Sequence, residues 1–227
     1  MAATAAPRVV SMVPSVTETL LAWGITPVAC TRFCEQPDLT HIGGTKDPEV
    51  ETIAALHPDL VVVDREENRL EDHDALVALG LDVHVLQVID LDHLDEQLGG
   101  LADRLGAHWD PVGPFPEVEV TQAAFVPIWR RPWMALGAPT YGTAVLRALG
   151  IDNISSADGP YPNLSLADAR ARCPDLVVAP SEPYPFAERH RAELESVAPA
   201  RFVDGRDLLW WGVRTRAALA RLSAALA

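Results

Sequence analysis

The same helix-to-strand passage occurs twice in this chain. His57-Pro58-Asp59-Leu60-Val61-Val62-Val63 returns 116 positions later as Cys173-Pro174-Asp175-Leu176-Val177-Val178-Ala179. A second echo surrounds the first: Thr17, Leu20, Gly24 and Ile25 match Thr143, Leu146, Gly150 and Ile151 at a shift of 126. Each half therefore reads as strand, helix, a variable stretch, a helix, then Pro-Asp and a buried strand. A repeated supersecondary unit constrains the architecture more than any single element does. It points to two lobes facing each other, with a cleft of the kind where small molecules bind. Chance recurrence of a common helix-to-strand turn is the competing reading, and two echoes at similar shifts argue against it.

The 227 residues suit one large α/β domain or two lobes of about 100 residues each. A hydrophobic content of 48% is that of a folded core rather than a disordered segment. The net charge of −14, from 32 acids against 18 bases, repels phosphate backbones and anionic lipid. It therefore argues against nucleic-acid and membrane partners. The three cysteines, Cys30, Cys34 and Cys173, form neither a disulfide framework nor a zinc-knuckle spacing. No basic region followed by an apolar core opens the sequence, and no apolar run approaches the ~20 residues that span a bilayer. With Met1 as the natural start, the expected location is the cytoplasm.

Residues 8–13 are a short apolar run, the mark of a buried parallel strand. Ser15 and Glu18 have the spacing of a capping box for the helix that Gly24 ends. Further strands are expected at 27–31, 60–63 and 83–86, and helices at 49–56 and 72–79, with 33–46 as loop. Apolar residues at 91, 94, 98, 101 and 105 mark one face of a helix. Pro111, Pro114 and Pro116 exclude a helix interior between 108 and 122. The expected organisation is an N-terminal lobe over 1–90, a linker helix and Pro-rich connection over 91–123, and a C-terminal lobe over 124–227. In the second lobe the pattern gives strands at 124–129, 133–136, 176–178 and 201–203, and helices at 143–149, 165–172, 186–197 and 213–226. Strands alternating with helices imply an α/β fold with parallel sheets and right-handed crossovers.

Ligands of open parallel sheets lie at the carboxyl ends of the strands. That rule selects Pro14-Ser15, the segment Asp64 to Asn68 with Glu66 and Glu67, and Trp129-Arg130-Arg131-Pro132-Trp133 with Thr140-Tyr141. It also selects Ser181 to Phe186, with Glu182 and Tyr184, and Leu209-Trp210-Trp211-Gly212. Four of the six tryptophans fall in these loops. Indoles give large, rigid, flat walls with one N–H donor, which suits a flat, partly apolar ligand. Trp129 and Trp133 could equally be core residues of the second lobe. Arg130 and Arg131 would bind carboxylate, amide or phosphate groups, or form a local salt bridge with Glu66, Glu67 or Glu182. The seven histidines are scattered, and neither Gly-x-Ser-x-Gly nor Gly-x-Gly-x-x-Gly is present. No catalytic constellation or cofactor motif is legible.

Residues 8–17, Gly43-Gly44-Thr45-Lys46-Asp47-Pro48-Glu49-Val50-Glu51, Leu56-His57-Pro58-Asp59-Leu60, and Tyr161-Pro162-Asn163-Leu164-Ser165 with Cys173-Pro174-Asp175 resemble the helical-backbone metal-receptor family. This is the class III substrate-binding-protein superfamily of vitamin B12, haem and ferric-siderophore receptors, and the likeness is to its cobalamin-binding branch. The resemblance implies two Rossmann-like lobes joined by a helical linker, with ligand held between them and bordered by Ser15, Asn68, Trp129, Tyr141, Tyr161 and Trp210. It implies a small-molecule ligand, with a corrinoid or other metal chelate as the candidate. The likeness is to cytoplasmic members without a leader. Importer-docking receptors carry an exposed glutamate where this chain has Leu70, with Glu71 adjacent, so importer docking is doubtful. The expected function is non-catalytic binding of a cobalamin-, tetrapyrrole- or metal-chelate-like molecule in the interlobe cleft. The alternative is a cytoplasmic enzyme using Glu66, Glu67 or Glu182 as acid or base on an aromatic small molecule.

Overall fold

The computed structural model describes residues 6–227. The reading of the first residues as lacking a leader falls largely on positions outside that range. The chain divides into two compact units. One runs through Val88 and resumes over Asp95–Pro111; the other comprises Ile89–Leu94 and Val112–Ala227.

The first unit begins with β1 (Val9–Ser11), whose three side chains are all buried. Helix α1 (Pro14–Ala22) comes next, with Pro14 in its first turn, where a missing N–H costs nothing. Val13 is its N-cap, and no side chain caps it, so the expected Ser15–Glu18 capping box does not form. The chain continues through β2 (Ala29–Cys30), β3 (Thr40–His41), α2 (Val50–Ala55), β4 (Leu60–Asp64), α3 (Leu70–Ala78), β5 (Val83–Leu86) and α4 (Leu91–Leu105). The sheet order is β3-β2-β1-β4-β5, all parallel. β4 is buried along its whole length, as its unbroken aliphatic run requires of a central strand. β3 lies inside the segment expected to be loop. It has two exposed residues and is held by pairing of Ala29 with Thr40 and Cys30 with His41.

Residues 107–121 contain no helix or strand. Trp109 nevertheless packs edge-on against Trp23 at 6.3 Å and donates its indole N–H to Asp95 at 2.9 Å.

The second unit starts with β6 (Gln122–Phe125). It continues through β7 (Pro127–Trp129), β8 (Met134–Ala135), α5 (Tyr141–Ala148), β9 (Ile151–Asn153), α6 (Leu166–Ala171) and β10 (Leu176–Pro180). The chain ends with α7 (Arg191–Leu194), β11 (Ala200–Val203), α8 (Gly205–Leu209) and α9 (Thr215–Leu226). Its main sheet is parallel in the order β11-β10-β6-β9. Side chains cap three of its helices: Thr140 for α5, Ser165 for α6 and Asp204 for α8.

Four expectations change here. β7 and β8 form an antiparallel ribbon outside the parallel sheet. β9 had no counterpart in the sequence reading, and neither did α8. The helix expected over 186–197 is a 3-10 turn at Glu188–His190 followed by the four-residue α7. Phe125, Val177, Ala179, Phe186 and Leu194 form the core beneath β10.

Candidate functional site

In the first unit, the loop after β4 is organised by two buried polar side chains. Asp64 Oδ1 accepts the backbone N–H groups of Glu66 at 2.9 Å and Glu67 at 3.3 Å. Its Oδ2 is buried with no hydrogen-bond partner among the described residues. Burial pushes the Asp64 carboxyl up to about 7, against the lowering effect of the two N–H donors. Asn68 Oδ1 accepts from Asp64 N at 2.9 Å, and its Nδ2 donates to Thr45 O at 3.0 Å and Met12 O at 3.4 Å. Its amide is thus committed to bracing three segments. Lys46 Nζ donates to Glu66 O at 2.6 Å and ties the 43–48 loop to the same place. Ser15 is buried in α1, Glu66 is half-buried, and Glu67 is exposed.

Sequence reasoning missed Phe33. It is 50% exposed beyond the carboxyl end of β2, with the Arg32 guanidinium 4.9 Å from its ring centroid. Arg32 in turn pairs with Asp47 at 2.9 Å. Strand 27–31 was legible, so the strand-end rule should have included this loop.

In the second unit, the β7–β8 ribbon carries the Trp-Arg-Arg-Pro-Trp segment. Trp129 is 43% exposed and stands edge-on to Tyr184, with ring centroids 5.8 Å apart. Trp133 stacks on Phe186 at 6.0 Å with an interplanar angle of 7°. Tyr184 and Phe186 also contact His190, at 5.5 and 5.6 Å. His190 Nδ1 accepts from Ala187 N at 3.1 Å, which places the ring proton on Nε2. Burial, with Arg189 and Arg130 nearby, holds that imidazole below its ordinary pKa. Arg130 pairs with Glu193 at 2.7 Å and hydrogen-bonds Tyr184. The local salt bridge considered for it therefore exists with Glu193 rather than Glu66, Glu67 or Glu182. Arg131 is exposed at the ribbon tip, in left-handed backbone with φ 69°.

The remaining candidates separate by burial. Tyr161 is 42% exposed. Trp210 is half-buried, and Arg214 lies 5.2 Å from its ring centroid. Tyr141 and Trp211 are 4% and 5% exposed and belong to the core. The Tyr141 hydroxyl is 2.8 Å from Thr215 Oγ1, and burial pushes its pKa up. Both residues were expected to border a ligand, but the faces they were read to present are packed inward. Glu182 is half-buried and lies against Gly205, where an added Cβ would meet Glu182 Cγ at 2.4 Å. Only glycine fits that approach.

A cavity of about 290 Å³ lies on another part of this unit. Pro139, Thr140, Thr143, Arg147, Asp152 and Asn153 line it, and of the residues in the selected strand-end loops only Thr140 is among its lining. Among the described residues, no group of three His, Cys, Asp or Glu side chains is placed to hold a metal ion. Among the same residues no helix is long and apolar enough to cross a membrane. The partly exposed Trp129 indole offers a flat apolar surface at the strand ends of this unit.

The family model for periplasmic binding proteins matches residues 9–108. The vitamin B12-binding protein of Salmonella paratyphi A is 26% identical over 197 residues, covering 77% of this chain and 72% of that protein. Its counterpart in Yersinia pestis (strain Pestoides F) is 28% identical over 196 residues, covering 78% and 70%. Among solved structures, the periplasmic vitamin B12 binding protein BtuF of Vibrio cholerae superposes with a TM-score of 0.77 at 19% identity, covering 97% of this chain and 96% of that one. A periplasmic heme binding protein from Pseudomonas aeruginosa gives 0.78 at 22% identity, covering 96% and 92%. Over its first half the chain is similar to the periplasmic binding proteins, over most of its length it is similar to vitamin B12-binding proteins, and over nearly its whole length it shares the fold of these vitamin B12- and heme-binding structures.

Proposed function

We propose that this chain is a non-catalytic receptor for a planar macrocycle of the corrinoid or tetrapyrrole class, or a metal chelate of similar size. The observation that carries the reading is the aromatic assembly at the strand ends of the second unit. Trp129 leaves nearly half its surface exposed, while Tyr184 stands against it and is backed in turn by Phe186 and Trp133. A rigid indole propped in this way loses little entropy when a flat ligand covers it. The printed names of the relatives, vitamin B12-binding and heme-binding, support the same ligand class. The net charge of −14 disfavours nucleic acid and anionic membranes as partners. Leu70 is 72% exposed at the position where the resemblance leads one to expect a docking glutamate, so coupling to an importer forms no part of the proposal.

The test is titration of the purified protein with cobalamin and with haem, followed by visible absorbance and calorimetry. Saturable binding is expected, and Trp129→Ala should weaken it by about tenfold. A flat spectrum and no heat with both ligands in large excess would remove this ligand class.

A further inference from the structure

Two of the three thiols lie four positions apart in the first unit and share a hydrogen-bonding environment. Cys30 ends β2 and is paired on both sides, with Ser11 of β1 and His41 of β3. Cys34 follows through a turn closed by its own N–H donating to Thr31 O at 3.1 Å. Both residues are sealed from solvent, at 0% and 3% exposure. Three groups converge on the Cys34 sulfur: the Thr17 hydroxyl at 3.2 Å, the Thr31 hydroxyl at 3.2 Å and the Cys30 thiol. The pKa of the Cys30 thiol is pushed up by its contact with Cys34 and by burial. The Cys34 thiol is lowered by the Cys30 hydrogen bond first and by the two threonines next, against the opposing effect of burial. Nothing in the ligand reading uses this arrangement.

We propose, independently of that reading, that Cys30 and Cys34 form a reversible dithiol–disulfide pair oxidised by hydrogen peroxide. The Cys34 thiolate attacks one peroxide oxygen, the O–O bond breaks, and hydroxide leaves to take up the proton that Cys34 had released. The Cys30 sulfur then attacks the Cys34 sulfenic acid. The S–S bond forms as the S–O bond breaks, and water departs with the Cys30 proton. Two thiols have lost two electrons and two protons, and one peroxide has become two waters. Depth of burial selects the oxidant, since a bulky disulfide cannot reach sulfurs so enclosed. The new ring encloses Thr31, Arg32 and Phe33. Arg32 donates its backbone N–H to Gly43 O at 2.9 Å and grips Asp47, so the bond would fix the loop that carries Phe33.

Cys173 serves as an internal control, because it is exposed and lies apart from the pair in sequence. Trypsin cuts after Arg32 and so leaves Cys30 and Cys34 on separate peptides, residues 9–32 and 33–46. The full-length reduced protein is treated with stoichiometric hydrogen peroxide, alkylated and digested. The two peptides are expected as one species, about 2 Da lighter than their sum and separated again by dithiothreitol, while Cys173 stays open to alkylation. Cys30→Ser should instead leave a sulfenic acid on Cys34 that dimedone captures when it is present as the oxidised protein is unfolded. Separate alkylated peptides after oxidation, or cross-linking through Cys173 alone, would overturn the proposal. The wild-type peptide map decides the matter even where the variant does not fold.

Discussion

In the first unit the Asp59 carboxylate accepts the Arg8 backbone N–H at 2.8 Å, and the Asp59 N–H donates to Arg8 O at 2.8 Å. In the second unit Asp175 does the same for Ala123, at 2.7 and 2.8 Å. The residue two positions before each aspartate is left-handed: His57 at φ 47° and Cys173 at φ 52°. The strands after both aspartates are buried end to end. The repeated Pro-Asp sequence therefore builds one latch twice, pinning the first strand of each sheet to the entry of its neighbour. The units differ in the connection from that first strand to the first helix. In the first, only Met12 and Val13 separate β1 from α1; in the second, the β7–β8 ribbon intervenes before α5. The duplicated part holds the sheets, and the inserted part carries the exposed aromatic surface. At the position of Asp64 in the first unit, the second has Pro180.

That last difference gives the largest expected effect. The Asp64 carboxyl is raised in the folded state to about 7 from an ordinary 3.8, so folded protein holds this proton after the unfolded chain has released it. Below pH 4 both states are protonated and the group adds no pH dependence. Between about pH 4 and 7 stability falls as pH rises, by roughly 4 kcal/mol in total, and above 7 the effect is flat. Urea titrations across that range should show the slope in the wild type and lose it in Asp64→Asn. An unchanged slope would remove the contrast with Pro180.

Core composition comes next. Phe125 is fully buried in the second unit, where the first has Val9, Val10, Val61 and Val62. Phe125→Ala should cost about 3–4 kcal/mol and Val62→Ala about 2 kcal/mol, both read from urea midpoints. Equal losses would mean that the two cores are packed alike despite their composition.

Charge pairing also differs. Asp207 is 5% exposed and holds Arg221 through two contacts, at 2.7 and 2.6 Å, and Arg214 at 3.2 Å. The Arg32–Asp47 pair of the first unit is exposed on both sides. Asp207→Ala should cost about 2 kcal/mol, because a mostly buried Arg214 is left beside it, whereas Arg32→Ala should cost about 0.5 kcal/mol. Chemical denaturation of the two variants side by side measures the gap.

The smallest effect probes the latch itself. Asp59→Ala and Asp175→Ala should each cost about 1 kcal/mol, since the freed N–H lies near the surface and water replaces the carboxylate. A difference between them of more than about 1 kcal/mol would show that similar hydrogen bonds do unlike work.

The repeated Pro-Asp turn was legible in the sequence because Pro fixes backbone locally, whereas the partners of the two aspartates, Arg8 and Ala123, lie far away in the chain and were not. Gly24 and Gly150 were legible for the same reason, and both end helices in left-handed backbone, at φ 75° and 77°. β3 was not legible. Thr40 and His41 are exposed and polar, and their strand character comes entirely from pairing with β2. β9 was missed likewise, since Ile151-Asp152-Asn153 has no apolar run. At the candidate site, the strand-end rule found the loops but not the direction in which each ring points. Trp129 and Trp211 look alike in sequence, yet one is 43% exposed and the other 5%, because burial is decided by segments far along the chain. The spacing of Cys30 and Cys34 excluded a zinc knuckle, but their contact depends on Thr17 and Thr31 as well as on spacing.

The unequal burial of the indoles has an optical consequence. Trp129 and Trp211 sit in surroundings of different polarity, so their emission should differ in colour, the solvated ring to the red of the enclosed one. A pigment with an absorption band overlapping indole emission would drain the excited state of whichever ring it approaches. A macrocycle resting on Trp129 would dim that red-shifted component first, so the molecule carries its own fluorescent gauge of occupancy without any dye attached.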